Sequence, residues 1–175
     1  HEFTVGDARN YNVAYVSGTL KMSYGEQIAI TITAASGSFT YDGKAHSNPE
    51  VSVTSGELLD GDVLVATASG SVTNVSDNAK DNNTVNAGYK VMNGETEVTG
   101  KYAITVEAGT LTITPKDVTI TAEDGNFTYD GEAHSNPEYR VNGLVGEDAL
   151  EATVEGSITY PGETENKVTS HEFTV

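Results

Sequence analysis

The residues of this chain that are best suited to chemistry form two similar polar groups. Each group combines an aspartate, a histidine and an asparagine at the same spacing: Asp42, His46 and Asn48, and then Asp130, His134 and Asn136. Carboxylates and imidazoles are the usual carriers of acid–base and metal chemistry. Aspartate and asparagine are also common in turns, where they satisfy backbone groups. We favour the turn interpretation and predict no catalytic, cofactor-binding or metal site.

Both groups lie in a motif of 14 residues that occurs twice. GSFTYDGKAHSNPE occupies residues 37–50, and GNFTYDGEAHSNPE occupies residues 125–138, so 12 of the 14 positions agree at an offset of 88. Self-similarity over such a distance is typical of repeat proteins. A chain of 175 residues with this period favours small repeated domains.

The centre of the motif has the chemistry of a tight turn. Asp42-Gly43 separates two short β-prone runs, which predicts a type I′ hairpin with positive φ at the glycine. Pro49 has no backbone donor and belongs at a strand edge or at the first position of a strand. The predicted structural turn motif consists of Tyr41, Asp42, Gly43, His46 and Pro49, and of Tyr129, Asp130, Gly131, His134 and Pro137.

Composition narrows the range of partners. The chain has 26 acidic and 9 basic residues, which gives a net charge of −17. A field of this sign repels nucleic acid and anionic lipid, so neither is an expected partner. Cysteine is absent, which excludes disulfides and cysteine-ligated zinc. No run of 18 apolar residues occurs, so no membrane insertion is expected in this segment.

Alternating apolar residues predict β-strands along the whole chain. The clearest run is residues 27–34, followed by residues 51–54, 63–73, 84–92 and a closing pair within 102–114. Residues 147–156 have helical propensity, but they also alternate, and we predict a strand there. The expected core residues are Ile28, Ile30, Ile32, Val53, Ile104, Val106, Leu111 and Ile113.

The two ends of the chain predict a longer array. Residues 11–22 match residues 102–113 at an offset of 91, and HEFTV occurs at both 1–5 and 171–175. We therefore expect residues 1–25 to be the closing strands of a repeat, residues 26–115 to be a complete repeat, and residues 116–175 to open the next one. Residues equivalent to 6–22 would complete that last repeat, so residues 6–22 should lie far from residues 117–175 of the same chain.

The motifs resemble those of a known group of repeats. FTYDG is followed by Ala45-His46 or Ala133-His134 and by NPE, and residues 109–115 read GTLTITP. These features resemble the YDG-type and MBG-type tandem repeats of bacterial surface adhesins and filamentous-haemagglutinin-like proteins. The resemblance implies an extracellular, non-enzymatic repeat of the bacterial cell surface, used as a stalk or an adhesive surface.

The predicted fold is all-β, with tandem immunoglobulin-like β-sandwich repeats of about 85–90 residues. A β-grasp-like repeat is the alternative, but it would need a helix. Two further alternatives concern chemistry. The polar loop 74–83 offers oxygen ligands for calcium at Asp77, Asn78, Asp81, Asn82 and Asn83. Lys21 and Lys90 lie in predicted strands, as a lysine that forms an isopeptide bond would.

The expected function follows from the repeats and from the absence of a recognisable catalytic motif. We expect a non-catalytic spacer or linear filament whose partners are neighbouring repeats or identical subunits, arranged head to tail. A module that binds host glycan or mucin is the alternative, although such a site would need exposed aromatic residues. An enzyme is the least favoured of the three classes.

Overall fold

Strands dominate the part of the chain that the structure describes, which is residue 12 and residues 14–174 of a computed structural model. Within this part there are two 3₁₀ turns, Val75–Asp77 and Thr99–Lys101, and no α-helix, which the β-grasp-like alternative required. The all-β prediction is confirmed. The strands are β1 (Ile28–Ala34), β2 (Gly37–Thr40), β3 (Val51–Ser55), β4 (Asp62–Val65), β5 (Lys90–Asn93), β6 (Thr96–Glu97), β7 (Tyr102–Glu107), β8 (Leu111–Thr114), β9 (Thr119–Ala122), β10 (Tyr139–Asn142), β11 (Ala149–Glu155) and β12 (Lys167–Thr174).

The first and last strands of the first repeat run side by side. β1 pairs with β7 and β2 pairs with β8, both in parallel, and each residue faces the one 74 positions later. The two pairings therefore form one long parallel ribbon, interrupted between β1 and β2. At this interruption a Cβ on Gly109 would lie only 2.4 Å from the carbonyl oxygens of Ala34 and Ala35. The close approach of the two backbones requires glycine there.

The remaining strands of the first repeat complete one sheet and form a second around an apolar core. β3 pairs with the other edge of β1, and β4, β5 and β6 form a separate antiparallel sheet. One buried cluster lies between these sheets, and a second lies under the β2–β8 pair. The clusters are Ile30, Ile32, Val91, Val98 and Tyr102, and then Val72, Leu111 and Ile113.

The predicted core is largely correct. Ile30, Ile32, Leu111 and Ile113 are buried, while Ile28, Val53 and Ile104 are half-buried and pack against the first cluster. The prediction is wrong for Val106, which is 43% exposed. Val106 has the apolar phase of β7, but the contacts of that strand with the cluster end at Ile104.

A carboxylate in the core ties β4 to the start of β7. The side chain of Asp62 is fully buried, and its Oδ2 accepts hydrogen bonds from the Tyr102 hydroxyl at 2.6 Å and from Lys101 Nζ at 3.3 Å. Its Oδ1 accepts one from Asn93 Nδ2 at 2.6 Å. These donors hold the pKa of Asp62 below its ordinary value, and the Tyr102 hydroxyl has the largest effect. Burial, together with the hydrogen bond to Asp62, raises the pKa of Tyr102.

The predicted strands at 63–73 and 84–92 are longer than the strands that form. Only Asp62–Val65 and Lys90–Asn93 are strands, and isolated bridges at Ala68–Val85 and His46–Val72 connect the segments between them. Glycines and short polar residues interrupt these segments, so that pairing does not continue. The strand prediction for residues 147–156 is confirmed by β11.

The described part of the second repeat has fewer pairings than the first. β9 and β10 correspond to β1 and β3, but β9 has β10 as its only strand neighbour among the described residues. β11 pairs with β12. Ile120 and Ala122 are half-buried, whereas their counterparts Ile32 and Ala34 are at most 2% exposed.

Residues 14–22 form no strand and are exposed. Tyr15, Val16, Leu20 and Met22 are each at least 93% exposed, so these side chains pack against no part of the described chain. Residues 6–11 and 13, which belong to the same predicted closing strands, lie outside the described residues.

Replacing Ile30 with alanine should lower the free energy of unfolding by about 2–5 kcal/mol, because it leaves a cavity in a packed core. Urea titration of the whole chain, followed by circular dichroism, measures the change. Val106→Ala is the matched control: it removes methyl groups from an exposed site on the neighbouring strand and should cost less than about 0.5 kcal/mol. An equal loss in the two variants would contradict the assignment of the core.

The Asp62 network predicts a defined dependence on pH. The fold lowers the pKa of Asp62 below its ordinary value of 3.8, so the ionised carboxylate stabilises the folded protein at every pH above 3.8. This stabilisation is lost as the pH falls from 3.8 to the lowered pKa of the folded state. Asp62→Asn should therefore be less stable than the wild type at neutral pH, and the gap should close in acid. Asp60→Asn, at an exposed position two residues away, leaves the network intact and should keep the stability of the wild type at neutral pH.

Candidate functional site

The glycines of the repeated motif have the predicted backbone conformation, but the predicted hairpin is wrong. Gly43 and Gly131 have φ values of 75° and 89°. A type I′ turn also needs positive φ at the residue before the glycine, and neither Asp42 nor Asp130 has it. The run before the turn pairs with β8, and the run after it bridges to Val72, so the two runs do not pair with each other.

The aspartate and the histidine of each motif bind each other inside the turn. Asp42 Oδ1 accepts the backbone N–H of Lys44 at 3.0 Å and lies 2.8 Å from His46 Nε2. Both contacts lower the pKa of Asp42, and the contact with His46 has the larger effect. The imidazole of His46 also stacks on the ring of Phe39, with 4.5 Å between the ring centroids. One face of the imidazole is therefore covered by an aromatic ring.

The second motif repeats this geometry closely. Asp130 Oδ1 accepts the N–H of Glu132 at 2.9 Å and lies 2.9 Å from His134 Nε2, while His134 stacks on Phe127 at 4.8 Å. The N–H of Glu132 is the main cause of the lowered pKa of Asp130, followed by His134. Local contacts therefore fix the turn in both copies.

A ladder of asparagine side chains covers the outer edge of β8. Asn78 accepts the N–H of Ile113 at 2.7 Å and donates to its carbonyl at 2.9 Å. Asn82 makes the same pair of contacts with Leu111, at 2.6 and 2.9 Å. Each side-chain amide thus takes the place of a neighbouring strand residue. By sequence, these asparagines are only possible calcium ligands; the spacing of four between Asn78 and Asn82 is the signal that points to the ladder.

Asn83 is the most enclosed polar residue of the first repeat. It is 0% exposed, and its Oδ1 accepts the N–H of Gly70 at 2.7 Å. Its Nδ2 donates to the carbonyls of Ala35 and Asn48 at 2.7 and 2.8 Å, and its backbone exchanges two hydrogen bonds with Gly109. A buried amide with every group satisfied holds the surrounding segments in one arrangement.

Asn166 occupies the corresponding place in the second repeat. Its Nδ2 donates to the carbonyls of Glu123 and Asn136, both at 2.9 Å. These partners are the counterparts of those of Asn83. In the described part of the chain, however, no backbone bridge matches that between Asn83 and Gly109.

The two repeats meet at the turn motif of the first. The hydroxyl of Tyr41 donates to Asp148 Oδ2 at 3.2 Å, and the charge of Asp148 raises the pKa of Tyr41. A Cβ on Gly43 would lie 3.1 Å from Val145. A cavity of about 270 Å³ at this joint is lined mainly by apolar residues of both repeats, among them Val75, Pro115, Val118, Leu144, Val145 and Phe173.

A groove lies beside the second turn motif. Two adjoining cavities of about 390 and 320 Å³ are lined by residues 124–129, His134 and Ile158. Phe127 is 47% exposed here, and Tyr129 and Tyr160 stack at 6.4 Å with exposures of 59% and 73%. The groove is therefore an open, partly aromatic trough next to a fixed turn.

The remaining sequence candidates have other partners. Asp77 accepts the N–H groups of Thr73 and Asn74 at 2.8 Å, and these bonds lower its pKa. Lys90 forms an ion pair of 3.0 Å with Glu97. Among the described residues, no three His, Cys, Asp or Glu side chains converge as a metal site would need.

Comparison with known proteins identifies no relative of this chain. No protein-family model matches the chain, and neither a curated protein nor a solved structure does so. Across the described residues, no helix is long and apolar enough to cross a membrane.

Valine substitutions at the two turn glycines should separate two losses of stability: the strain of a side chain at positive φ, and the clash of a side chain with the joint between the repeats. Gly43→Val and Gly131→Val should each cost about 1 kcal/mol or more, because valine is strained at positive φ. Gly43→Val should cost more, since its side chain also meets Val145, whereas nothing lies within 4 Å of a Cβ on Gly131. Thermal melts of the whole chain measure both, and a neutral Gly43→Val would refute the role of the turn.

Proposed function

We propose that this chain is a non-catalytic structural segment of a bacterial extracellular surface protein. In this proposal, immunoglobulin-like β-repeats follow one another head to tail and form an adhesin stalk or a linear filament. The protein partners are neighbouring repeats or identical subunits. The repeated motif and its resemblance to YDG-type and MBG-type repeats support this function, and the parallel ribbon of the first repeat carries the mechanical argument.

The parallel ribbon suits a protein that is pulled from its two ends. The chain enters the repeat at the start of β1 and leaves it at the end of β8, which lie at opposite ends of the ribbon. Tension along the chain therefore slides the two halves of the ribbon past each other. The hydrogen bonds lie across the direction of pull and share the force, whereas bonds in a peeled pair break one at a time. A stalk benefits from this arrangement.

The joint supports a fixed spacing between successive repeats. Only four residues, 115–118, separate β8 from β9, and so short a connection cannot act as a flexible tether. The hydrogen bond from Tyr41 to Asp148 and the apolar contacts around Val145 connect the two repeats further. The high negative charge keeps such an extended molecule from self-association through its sides.

One observation favours the second candidate function, a module that binds host glycan or mucin. Phe127, Tyr129 and Tyr160 expose aromatic rings around the groove of the second repeat. Stacking on sugar rings needs such surfaces. In the first repeat, Phe39 and Tyr41 are half-buried, so the aromatic surface is not a constant property of the repeat. The choice between the two functions therefore depends on what the groove binds.

Single-molecule force spectroscopy tests the stalk function directly. Because the chain has no cysteine, two introduced cysteines give unique attachment points. Handles at Glu26→Cys and Lys116→Cys load the ribbon in shear, whereas handles at Lys44→Cys and Lys116→Cys peel it from one end. The repeat should unfold at a clearly higher force in the first geometry. All three positions are exposed, so the handles leave the fold intact.

Equal unfolding forces in the two geometries would reject the mechanical role. The matched variant Asn78→Ala removes one rung of the ladder on β8 without touching the core, and it should lower the force in the shear geometry.

A further inference from the structure

In the first repeat, a strand fills the position that corresponds to the groove of the second repeat. There β8 runs parallel to β2, with Leu111 and Ile113 no more than 1% exposed. These side chains cluster with Val72 and pack against Phe39 and Tyr41. One short strand with two apolar residues therefore closes this side of the repeat.

The second repeat has the same walls around its groove. The antiparallel bridge between His134 and Ile158 matches the one between His46 and Val72. Residues 125–128, which correspond to β2, do not form a strand, and no described strand lies beside them. Phe127 is consequently 47% exposed. The groove has the position and the lining that a strand equivalent to β8 would need.

The residues at the end of the groove also have the arrangement that pairs with a closing strand in the first repeat. A Cβ on Gly156 would lie 2.8 Å from Asn166 Oδ1, just as a Cβ on Gly70 would lie 2.7 Å from Asn83 Oδ1, so neither position has room for a side chain. The side chain of Asn166 is held by two carbonyls, as that of Asn83 is. Asn83 pairs its backbone with Gly109, so an incoming glycine would find the same partner at Asn166.

The chain itself contains a segment with the matching sequence. Residues 18–22 read GTLKM and align with GTLTI at residues 109–113. Leu20 and Met22, the counterparts of Leu111 and Ile113, are fully exposed. Gly18 aligns with Gly109, the position at which two carbonyl oxygens exclude any Cβ.

We propose that the groove accepts residues 18–22 of a second copy of the chain as a strand parallel to residues 125–128. Leu20 and Met22 fill the groove against Phe127 and Ile158, and Gly18 pairs with the backbone of Asn166. This inference rests on the proposed head-to-tail assembly and names the segment and the surface that perform it.

The donor comes from another copy because Leu20 and Met22 contact nothing in the described part of their own chain. Donor and acceptor are separate segments of one molecule, so each added copy presents a new groove. Such a contact does not close on itself and produces a linear assembly. Addition of a strand to an exposed edge is a recurrent mode of protein recognition. The edge of β9 that has no neighbour among the described strands continues the same binding surface.

Disulfide trapping tests the register. Ser38 faces Thr112 in the first repeat, and the corresponding positions are Asn126 on the acceptor and Lys21 on the donor. A chain with Lys21→Cys, mixed with a chain with Asn126→Cys, should form a disulfide-linked heterodimer on mild oxidation, since directly paired residues are within disulfide reach. Thr128→Cys, on the same face but two positions on, is the control and should link at least several-fold less.

Complementation of two defective chains tests the partners. The double variant Leu20→Asp, Met22→Asp keeps the groove but loses the donor, and Ile158→Asp keeps the donor but loses the groove. In sedimentation velocity each should be monomeric, and their mixture should form a one-to-one complex that grows no further. The wild type should form longer species as its concentration rises. Val63→Asp, at an exposed apolar site on β4, should associate like the wild type.

A peptide of residues 11–23 covers the case in which Ile158→Asp does not fold. Titrated onto the donor-defective double variant, the peptide should bind saturably. The same peptide with Gly18→Val should bind at least roughly tenfold more weakly, because the valine meets the carbonyls that exclude a Cβ.

Three results would overturn the proposal: no binding of the peptide together with no disulfide, equal trapping at Thr128→Cys, or unchanged binding of the Gly18→Val peptide. Glycan binding to the groove in the absence of peptide binding would also overturn it and would favour the adhesive module. Equal forces in shear and peeling reject the stalk but leave strand exchange intact, so the two proposals fail separately.

Discussion

The parallel pairing of the first strands of the repeat with its last strands is the constraint on which the rest of the first repeat depends. It divides the apolar residues into two clusters, one beneath β1 and β7 and the other beneath β2 and β8. Between them the two backbones come so close that only Gly109 fits, and there Asn83 connects four separate segments. Asn78 and Asn82 then satisfy the outer edge of β8, which would otherwise be an unpaired strand edge.

The second repeat shows which features are local and which depend on distant strands. The pair Asp130–His134 has the same geometry as Asp42–His46, and the side chain of Asn166 binds as that of Asn83 does. These contacts join residues that lie close together in sequence or within the opening strands. By contrast, residues 125–128 are not a strand, and the apolar residues beside them are more exposed. The turn motif thus has the same geometry in both repeats, whereas the strand β2 occurs only where β8 pairs with it.

Much of the local structure could be predicted from the sequence, but the long-range pairing could not. Period-two alternation identified β1, β3 and β11 and most of the core, because burial on one face of a strand leaves that pattern. It could not reveal that β2 pairs with β8 in parallel, so Asp42-Gly43 was wrongly expected to close a hairpin. The contacts of Asn78 and Asn82 were missed because a polar loop gives no sign of what its amides bind. Val106 was misplaced because alternation gives the face of a strand but not where the core ends.

The separation of 74 residues between the paired strands governs how the repeat folds. A topology dominated by such distant contacts has a high contact order and folds slowly, because loop closure is unfavourable until the final strands arrive. On the ribosome, the opening strands of the first repeat therefore remain incomplete until residue 114 has emerged. Repeats that share a turn motif add a hazard, since the closing strand of one repeat can pair with its neighbour and produce domain-swapped intermediates. The loop 74–83 and its shorter counterpart differ between the repeats, and this difference gives each closing strand a distinct edge to recognise.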